Sequence, residues 1–353
     1  MLILAILNSG CTKLDEHVYS EINSSDYYNN PAEVLSAVLR PYTHAGAWAA
    51  ATGQQSAYRL NELSGDQLAW PVKGVHGYDN GDWIRQHYHT WNSLEDNIWN
   101  PWSLMFTGIG YCNDPITNLQ TYDIARMGIT AVQRDQYIAE LKVFRAWHYL
   151  KLMDLYGNIP IVTKVGSPAN PPTQSRAEVF AFVESELKAN VDLLPVLSQT
   201  YVGRITQAAG YAMLAELYLN AEVWTGTPRW DDCIAATDKV ISGQTGGQKG
   251  AATLDQNLNT PFSNTNTTTS TENLFVIAFN FQLSTSRINW SSDYYHFNQK
   301  YIYGGDYNGN DGVVVIPSAY DAFADNDLRK STWMLIGPQY YYGDSTKAVT
   351  GSY

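Results

Sequence analysis

Residues 144–162 read FRAWHYLKLMDLYGNIPIV, and this stretch decides the fold class. Together with the preceding residues 131–143, it places apolar and aromatic side chains on two stripes of a helix. Two stripes indicate that the helix packs against neighbours on two sides. The helix is predicted to end at Gly157, because glycine readily forms a left-handed cap and Pro160 bars continuation. Arg145 is expected to bind loop carbonyls or a carboxylate. The aromatic residues of this helix are predicted to lie in the core: Phe144, Trp147, His148 and Tyr149.

The segments that precede this helix predict further helices. PAEVLSAVLRPY, from residue 31, has helical periodicity. Residues 93–120 follow with apolar side chains spaced by three and four, and Pro101 is expected in the first turn of that helix, where proline is tolerated. Trp99 and Trp102 are expected to be core residues of the scaffold, like the aromatic residues within the stretch 144–162.

The segments that follow it suggest helices stacked in pairs. Ser175 stands three residues before Glu178, and this spacing forms a capping box at a helix start. Residues 206–241 read as two amphipathic helices joined by a short turn, roughly like a tetratricopeptide unit. Small residues stand where close helix packing needs them: Ala208, Gly210, Ala212 and Ala215. Successive pairs of this kind would each bury what the neighbouring pair exposes.

Beyond residue 243 the composition changes to Gly, Gln, Asn and Thr, which predicts a half made mostly of loops. Residues 273–281, NLFVIAFNF, are the segment most typical of a short strand. Aromatic and polar residues then crowd together over residues 288–312. Long loops within a compact domain are usually functional or disordered.

Charge and aromatic content limit the function. The chain of 353 residues carries 34 acidic and 22 basic residues, a net charge of −12, which argues against a nucleic-acid or anionic-membrane partner. It contains 25 Tyr and 11 Trp, whose flat apolar faces and polar tips suit both core packing and sugar binding. Three cysteines are too few for a disulfide scaffold.

The first eleven residues, MLILAILNSGC, resemble a bacterial lipoprotein signal in which Cys11 becomes the lipidated residue. The alternative is an ordinary buried N-terminus with a free thiol. No Lys or Arg precedes the apolar run, and Asn8 stands where the signal pattern prefers Leu. No later stretch has the roughly 18 consecutive apolar residues that a membrane-spanning helix needs, so Cys11 is the expected point of membrane contact.

Five motifs in order resemble the SusD/RagB family of nutrient-binding outer-membrane lipoproteins of Bacteroidetes. They are NELSGDQLAW, IWNPWSLMFTGIGYCNDPITNL, ELKVFRAWHYLKLMDLYGNIPIV, RITQAAGYAMLAELYLNAEVW and IPSAYDAFADNDLR. The resemblance implies a mainly α fold: a helical scaffold with tetratricopeptide-like pairs and a loop-rich face with few short strands. It also implies a lipid anchor at the cell surface, partnership with a SusC-like TonB-dependent transporter, and glycan binding without catalysis or cofactor.

The resemblance also sets the expected domain organisation. Residues 1–11 are expected to be a signal remnant and residues 12–353 a single domain, with the helical scaffold over about 31–242 and the loop-rich part over about 243–353. Family members usually continue past the segment that holds Asp327 and Arg329, so this chain is expected to be truncated at its C-terminus.

Two loop segments supply the chemistry that a sugar site needs. A sugar ring has C–H groups on its faces and hydroxyls at its edge, so a binding site combines exposed aromatic rings with amides or carboxylates. We expect the two segments to meet on one face. The candidates in the first are Asp66, Trp70, Asp82, Trp83, Arg85, Trp91 and Asn92, and those in the second are Asn289, Trp290, Asp293, Tyr294, Tyr295 and His296.

Other chemistries find weaker support in the sequence. DYNGNDG, residues 306–312, begins like a calcium loop but has Asp311 and Pro317 where the pattern requires Gly and Glu. His87 and His89 are expected on one face of a strand, without further ligands at metal spacing. Two rival functions stay open: a helical glycoside hydrolase, with carboxylates such as Glu95, Asp96 and Asp154, and a helical-repeat protein-interaction scaffold.

Overall fold

The computed structural model describes residues 27–50, 53–280, 282 and 290–349. Cys11 and Asn289 lie outside these residues, and so does the side chain of Trp290. The α-helices are α1 (Pro31–Ala49), α2 (Ala57–Ser64), α3 (Asp82–His87), α4 (Asp96–Thr121), α5 (Ile124–Met127), α6 (Ala131–Tyr156), α7 (Arg176–Asn190), α8 (Gln207–Leu219), α9 (Ala221–Thr225), α10 (Trp230–Ile241), α11 (Asn266–Thr269), α12 (Gln299–Tyr303), α13 (Pro317–Ala322) and α14 (Leu328–Trp333).

The strands of the described chain are short and pair two by two. They are β1 (Leu68–Ala69), β2 (Ile159–Pro160), β3 (Thr173–Gln174), β4 (Val314–Val315), β5 (Tyr340–Tyr341) and β6 (Asp344–Ala348). The antiparallel pairs are β1 with β4, β2 with β3 and β5 with β6. The long helices come before residue 242, and the helices after it have four to six residues. The fold is therefore mainly α, as the sequence predicts.

Helix α6 forms the centre of the core. It packs against α4 and α7, and α1 packs on α4. Phe144, His148 and Tyr149 are fully buried, and Trp147 packs partly buried against the same core. The prediction that these aromatic residues belong to the core is confirmed, and so is the helix end at Tyr156, after which Gly157 has a positive φ of 75°.

Arg145 ties α6 to its neighbours. Its guanidinium donates to Oδ1 of Asn113 at 2.6 Å, to Oε2 of Glu186 at 2.5 Å and to the carbonyl of Thr163 at 3.3 Å. These partners include both a carboxylate and a loop carbonyl, so the expectation for Arg145 is confirmed. The capping box at the start of α7 also forms, since Ser175 and Glu178 each accept a main-chain N–H from the other.

The predicted helix pair is α8 and α10, which pack closely against each other. Gly210 lies against Val191, and a Cβ at this position would come within 2.6 Å of the valine Cγ2. Ala208 and Ala209, its neighbours on α8, are buried as well. The missing side chain of Gly210 therefore allows α8 to lie close to the turn that follows α7.

Four local predictions are wrong. Helix α4 begins at Asp96, so Pro101 lies in its second turn. Because proline has no N–H, Pro101 cannot donate a hydrogen bond to the carbonyl of Asn97. The hydroxyl of Tyr156 donates to the neighbouring carbonyl, that of Ile98, at 2.8 Å. Trp99 is on the solvent side of α4 and is 55% exposed.

The other two concern expected strands. Residues 274–280 form no strand, because Phe275 and Ile277 pack on the helical core instead of pairing with a neighbouring strand. His87 ends α3 and His89 has a positive φ of 55°, so these two histidines do not share the face of a strand.

A search for membrane-spanning segments gives a negative result for the described residues. None of their helices combines the length and the hydropathy that crossing a bilayer requires.

Candidate glycan-binding cleft

The first loop segment is joined through the main chain to residues 314–316, which follow the second loop segment in sequence. Strand β1 pairs with β4, with Leu68 opposite Val315 and Ala69 opposite Val314. The amide of Ile316 also donates to the carbonyl of Gln67 at 2.8 Å. A small separate core lies beneath this ladder. It contains Leu63, Trp83 and Val313, with Leu68, Trp70 and Tyr294 packed against it.

A cavity of about 1140 Å³ opens between the segments, and we call it the cleft. Its aromatic lining residues are Trp70, Trp83 and Phe297. Its polar lining residues are Gln54, Gln55, Arg59, Lys73, His76, Asp79, Asn80, Asn310 and Asp311. The cleft thus combines ring surface with amide and carboxylate groups, which is the composition that sugar binding requires.

Arg59 holds the cleft together from below. It extends from α2, is 6% exposed, and donates from Nε and Nη2 to Oδ2 of Asp293 at 2.9 and 2.5 Å. The guanidinium carbon lies 4.2 Å from the ring centroid of Trp70 and 4.6 Å from that of Trp83. One buried cation therefore fixes two aromatic residues of the first segment and a carboxylate of the second.

Asp293 in turn organises the second segment. Its main-chain carbonyl accepts from the amides of Gly312 and Val313 at 3.0 and 2.9 Å. Its Oδ1 accepts from the side chain of Asn310 at 3.4 Å. Because Gly312 has no Cβ, the ring of Trp70 lies directly against its main chain, and any side chain there would overlap the indole. The position of Trp70 therefore depends on both segments.

A left-handed turn leads into α3 and shapes one wall. Asp79, Asn80 and Gly81 have φ values of 42°, 57° and 77°. This run turns the carboxylate of Asp79 onto the indole N–H of Trp83, which donates to it at 2.7 Å. The turn also aims the carbonyl of Asn80 at Nη1 of Arg85, 2.9 Å away. Left-handed residues other than glycine cost free energy, and here their hydrogen bonds hold them in place.

A second, strongly polar cavity of about 650 Å³ adjoins the cleft, and we call it the annex. It shares Gln54 and Asn80 with the cleft and adds Tyr78, Asp82, Arg85, Asn92, Leu94, Glu95 and Asp96. Arg85 donates to Asp82 and to Glu95, each at 2.6 Å. The hydrogen bond to Glu95 is the main cause that raises the pKa of Arg85, so this guanidinium stays charged.

The structure thus places six of the predicted site residues in or directly beneath these cavities. Trp70 and Trp83 line the cleft, although Trp83 is only 2% exposed and offers little ring surface. Asp82, Arg85 and Asn92 line the annex. Asp293 lies buried beneath the cleft. His296 lines neither cavity, and the centroid of its ring lies 4.1 Å from that of Phe297, which lines the cleft.

Four other predicted residues line neither cavity. Asp66 is exposed, and Trp91 is 43% exposed with its ring 5.4 Å from that of His89. Tyr294 is partly buried beside Tyr58, with 6.1 Å between ring centroids, and burial raises the pKa of its hydroxyl well above the usual range. Tyr295 is 47% exposed.

Several lining residues escaped the sequence analysis, among them Arg59, Lys73, Phe297 and Gly312. Arg59 sits between two ordinary helix residues and gives no local signal. Phe297 directly follows the predicted group that ends at His296 and was within reach of the same argument.

Burial raises the pKa of few carboxyls in the described chain. The carboxyls whose pKa burial raises are those of Glu62 and Asp154, and neither lines the cleft or the annex. Across the same residues, no three His, Cys, Asp or Glu side chains are close enough together to hold a metal ion.

The described chain is thus a helical frame whose loops form an aromatic cleft with a polar rim. Residues 14–219, more than half of the chain, match the SusD-like family described as starch-binding and associating with the outer membrane. The chain belongs to this family.

One named relative is similar in sequence, and two solved structures are similar in fold. The starch-binding protein SusD of Bacteroides thetaiotaomicron is 25% identical over 188 residues, which are 53% of this chain and 32% of that protein. Surface glycan-binding protein A from Bacteroides uniformis superposes with a TM-score of 0.67 at 21% identity, over 88% of this chain and 65% of its own. The corresponding protein from Bacteroides thetaiotaomicron, solved with laminarihexaose, gives 0.65 at 18% identity, over 86% and 62%. This chain therefore spans less than two thirds of each relative.

Proposed function

We propose that the protein is a non-enzymatic glycan-binding lipoprotein that captures an oligosaccharide at the cell surface. The observation that carries the proposal is the cleft, in which Trp70 and Phe297 stand beside the amides and carboxylates of Gln54, Asp79, Asn80 and Asn310. Family membership and the laminarihexaose bound by a relative of similar fold support it.

Two kinds of contact would bind the glycan: stacking on aromatic rings and hydrogen bonds to its hydroxyls. The ring carbons of Trp70 and the half-exposed ring of Phe297 meet the C–H faces of the sugar. Gln54, Asp79 and Asn80 accept from or donate to its hydroxyls. Because Arg59 fixes the walls before the ligand arrives, little ordering is needed on binding. The polar rim exchanges readily with water, so we expect a modest affinity that allows release.

Delivery to a SusC-like TonB-dependent transporter is the next step that we propose. Exposed apolar side chains on the helix pair, Leu219 of α8 and Ile234 and Ile241 of α10, offer a surface for a protein partner. This observation also suits the interaction-scaffold alternative, and the two functions are compatible. Co-purification of the transporter with the wild type and its loss in Ile234→Asp would support a role for this surface.

Membrane attachment is proposed through Cys11. More than one acyl chain gives stable anchoring, since each buried methylene contributes about 0.8 kcal/mol. Cys11→Ser should therefore move the protein from the membrane to the soluble fraction. An unchanged distribution would contradict lipid attachment.

The experiment that tests glycan capture is affinity electrophoresis through gels that contain single polysaccharides, coupled to a reducing-sugar assay on the same panel. We expect retardation on at least one glycan and no release of reducing ends. Steady release of reducing ends would favour the glycoside hydrolase instead. Retardation on none of the glycans would contradict the proposal.

A further inference from the structure

The cationic side chains that line the cleft and the annex are all neutralised by the protein itself. Among the described lining residues, the lysines and arginines are Arg59, Lys73 and Arg85. Arg59 pairs with Asp293 at 2.5 Å, Arg85 with Asp82 and Glu95 at 2.6 Å, and Lys73 with Asp311 at 3.1 Å. A ligand carboxylate or sulfate would have to compete with these resident carboxylates for every one of the three cations.

Two further carboxylates add negative charge. Asp79 lines the cleft and Asp96 lines the annex, and neither forms an ion pair with a lysine or arginine of the described chain. Within the part of the chain that the structure describes, the carboxylate of Asp79 accepts from a neutral donor, the indole N–H of Trp83. The protein as a whole carries a net charge of −12. Local and overall fields therefore both repel anions and leave hydroxyl groups as the natural partners of the rim.

We propose that the cleft and annex select uncharged glycans and reject uronic-acid and sulfated ones. The selection rests on the proposed function, glycan capture, and adds its substrate class. The mechanism is exclusion: each anionic group placed near Asp79 or Asp96 meets like charge without a free cation to offset it. Neutral hydroxyls, by contrast, donate to the same carboxylates in charge-assisted hydrogen bonds.

The Lys73–Asp311 pair offers a way to alter the selection. Lys73 donates to the main-chain carbonyl of Asp311 as well as pairing with its carboxylate. Asp311→Asn therefore removes one negative charge and leaves the contact with the main chain. Asp311 has a positive φ of 50°, a conformation that asparagine tolerates well. The matched control is Asp325→Asn, which changes the charge equally at a fully exposed carboxylate that pairs with Lys330 and lines neither cavity.

The test compares three forms of a neutral polysaccharide that the wild type binds: the parent, its hydroxyethyl ether and its carboxymethyl ether. The two ethers add groups of similar size, and only the second adds charge. Binding is measured by affinity electrophoresis at pH 8, where imidazoles are neutral, and at low ionic strength, where charge effects are largest. Polygalacturonate and dextran sulfate complete the panel.

We expect the carboxymethyl ether to bind at least tenfold more weakly than the hydroxyethyl ether, with the difference shrinking as salt is added. Asp311→Asn should recover part of the loss, and Asp325→Asn should not. Equal binding of the two ethers would overturn the inference, and so would retention on polygalacturonate or dextran sulfate with no neutral glycan retained. Those results would leave glycan capture intact, whereas retention on no polymer at all would contradict glycan capture itself.

Discussion

The guanidinium of Arg59 and the carboxylate of Asp293 are 234 residues apart in sequence and form a buried ion pair, with side chains 7% and 3% exposed. The pair joins α2 of the helical scaffold to the loop-rich half, and the same guanidinium contacts Trp70 and Trp83. The guanidinium of Arg59 thus contacts both the helical scaffold and the loops that line the cleft. Several consequences can be measured.

Asp293→Ala should be strongly destabilising, because it leaves the charge of Arg59 buried without a partner. Removing one member of a buried pair typically costs about 3–5 kcal/mol. The double variant Arg59→Met, Asp293→Ala removes the stranded charge and should regain part of that loss. Urea unfolding followed by tryptophan fluorescence measures both.

The control for this pair is Asp135→Ala, which breaks the ion pair with Arg134 on the surface of α6. With side chains 31% and 57% exposed, that pair should contribute less than about 1 kcal/mol. A loss in Asp293→Ala no larger than in Asp135→Ala would show that the Arg59 pair does not hold the two halves together.

Two glycines of α4 should respond to alanine in opposite ways. A Cβ at Gly108 would overlap Nε2 and Cδ2 of the buried His148, whereas a Cβ at Gly110 has nothing within 4 Å. Gly110→Ala should stabilise the protein by roughly 0.5–1 kcal/mol through helix propensity. Gly108→Ala should destabilise it by about 1–3 kcal/mol through overpacking. The thermal unfolding midpoints of the two variants measure this difference. Similar midpoints for both variants would argue against the close contact of α4 with His148.

His148 should make the protein sensitive to acid. Its Nδ1 donates to the carbonyl of Phe144, its Nε2 has no hydrogen-bond partner among the described residues, and burial lowers its pKa to about 4. Because the pKa is lower in the folded state than the unfolded value of about 6.5, the unfolded state binds the proton first. Stability should therefore fall as the pH drops from 6.5 towards 4, by roughly 3 kcal/mol from this group.

The measurement is urea unfolding between pH 7 and pH 4 for the wild type, His148→Gln and the control His76→Gln. His76 is exposed, so its variant should keep the slope of the wild type. His148→Gln should show a shallower dependence on pH. The same slope in all three proteins would mean that protonation of His148 does not contribute.

Gly312→Ala should weaken glycan binding although it replaces no aromatic residue. A methyl group there would displace the ring of Trp70 from its place in the cleft. Gly65→Ala is the matched control, because its new Cβ meets its nearest neighbour at 3.6 Å, an ordinary contact. Titration calorimetry with a bound oligosaccharide should show a loss of roughly tenfold or more for Gly312→Ala alone. Equal affinity of the two variants would show that Trp70 does not need its present position.

The scaffold was predictable because its signals are local. Phe144 and Tyr149 are core residues of a helix whose stripes are visible within one stretch of sequence, and Ser175 with Glu178 marks a helix start by spacing alone. The strand predicted over residues 273–281 shows the limit of such signals. A continuous apolar segment becomes a strand only beside a partner strand, and here Phe275 packs on Tyr42 and Phe144 instead.

The cleft was predictable in its location and less so in its detail. Loop segments rich in Trp, Tyr and Asp indicated where to look, yet exposure depends on contacts from far along the chain. Trp83 is nearly buried because Arg59 and Val313 cover it, and Val313 is 230 residues away in sequence. Trp91, which is locally indistinguishable from Trp83, stays exposed and outside the cleft.

The central claim is that ring surface in the cleft captures the glycan, and one comparison tests it most directly. Isothermal titration of an oligosaccharide that the wild type binds is repeated with Trp70→Ala and with Trp99→Ala, an exposed tryptophan of α4 that lines neither cavity. Loss of one stacking ring should weaken binding by about 1–3 kcal/mol, which corresponds to roughly fivefold to 150-fold. The account predicts that loss for Trp70→Ala and unchanged affinity for Trp99→Ala, and wild-type affinity in a folded Trp70→Ala protein would contradict it.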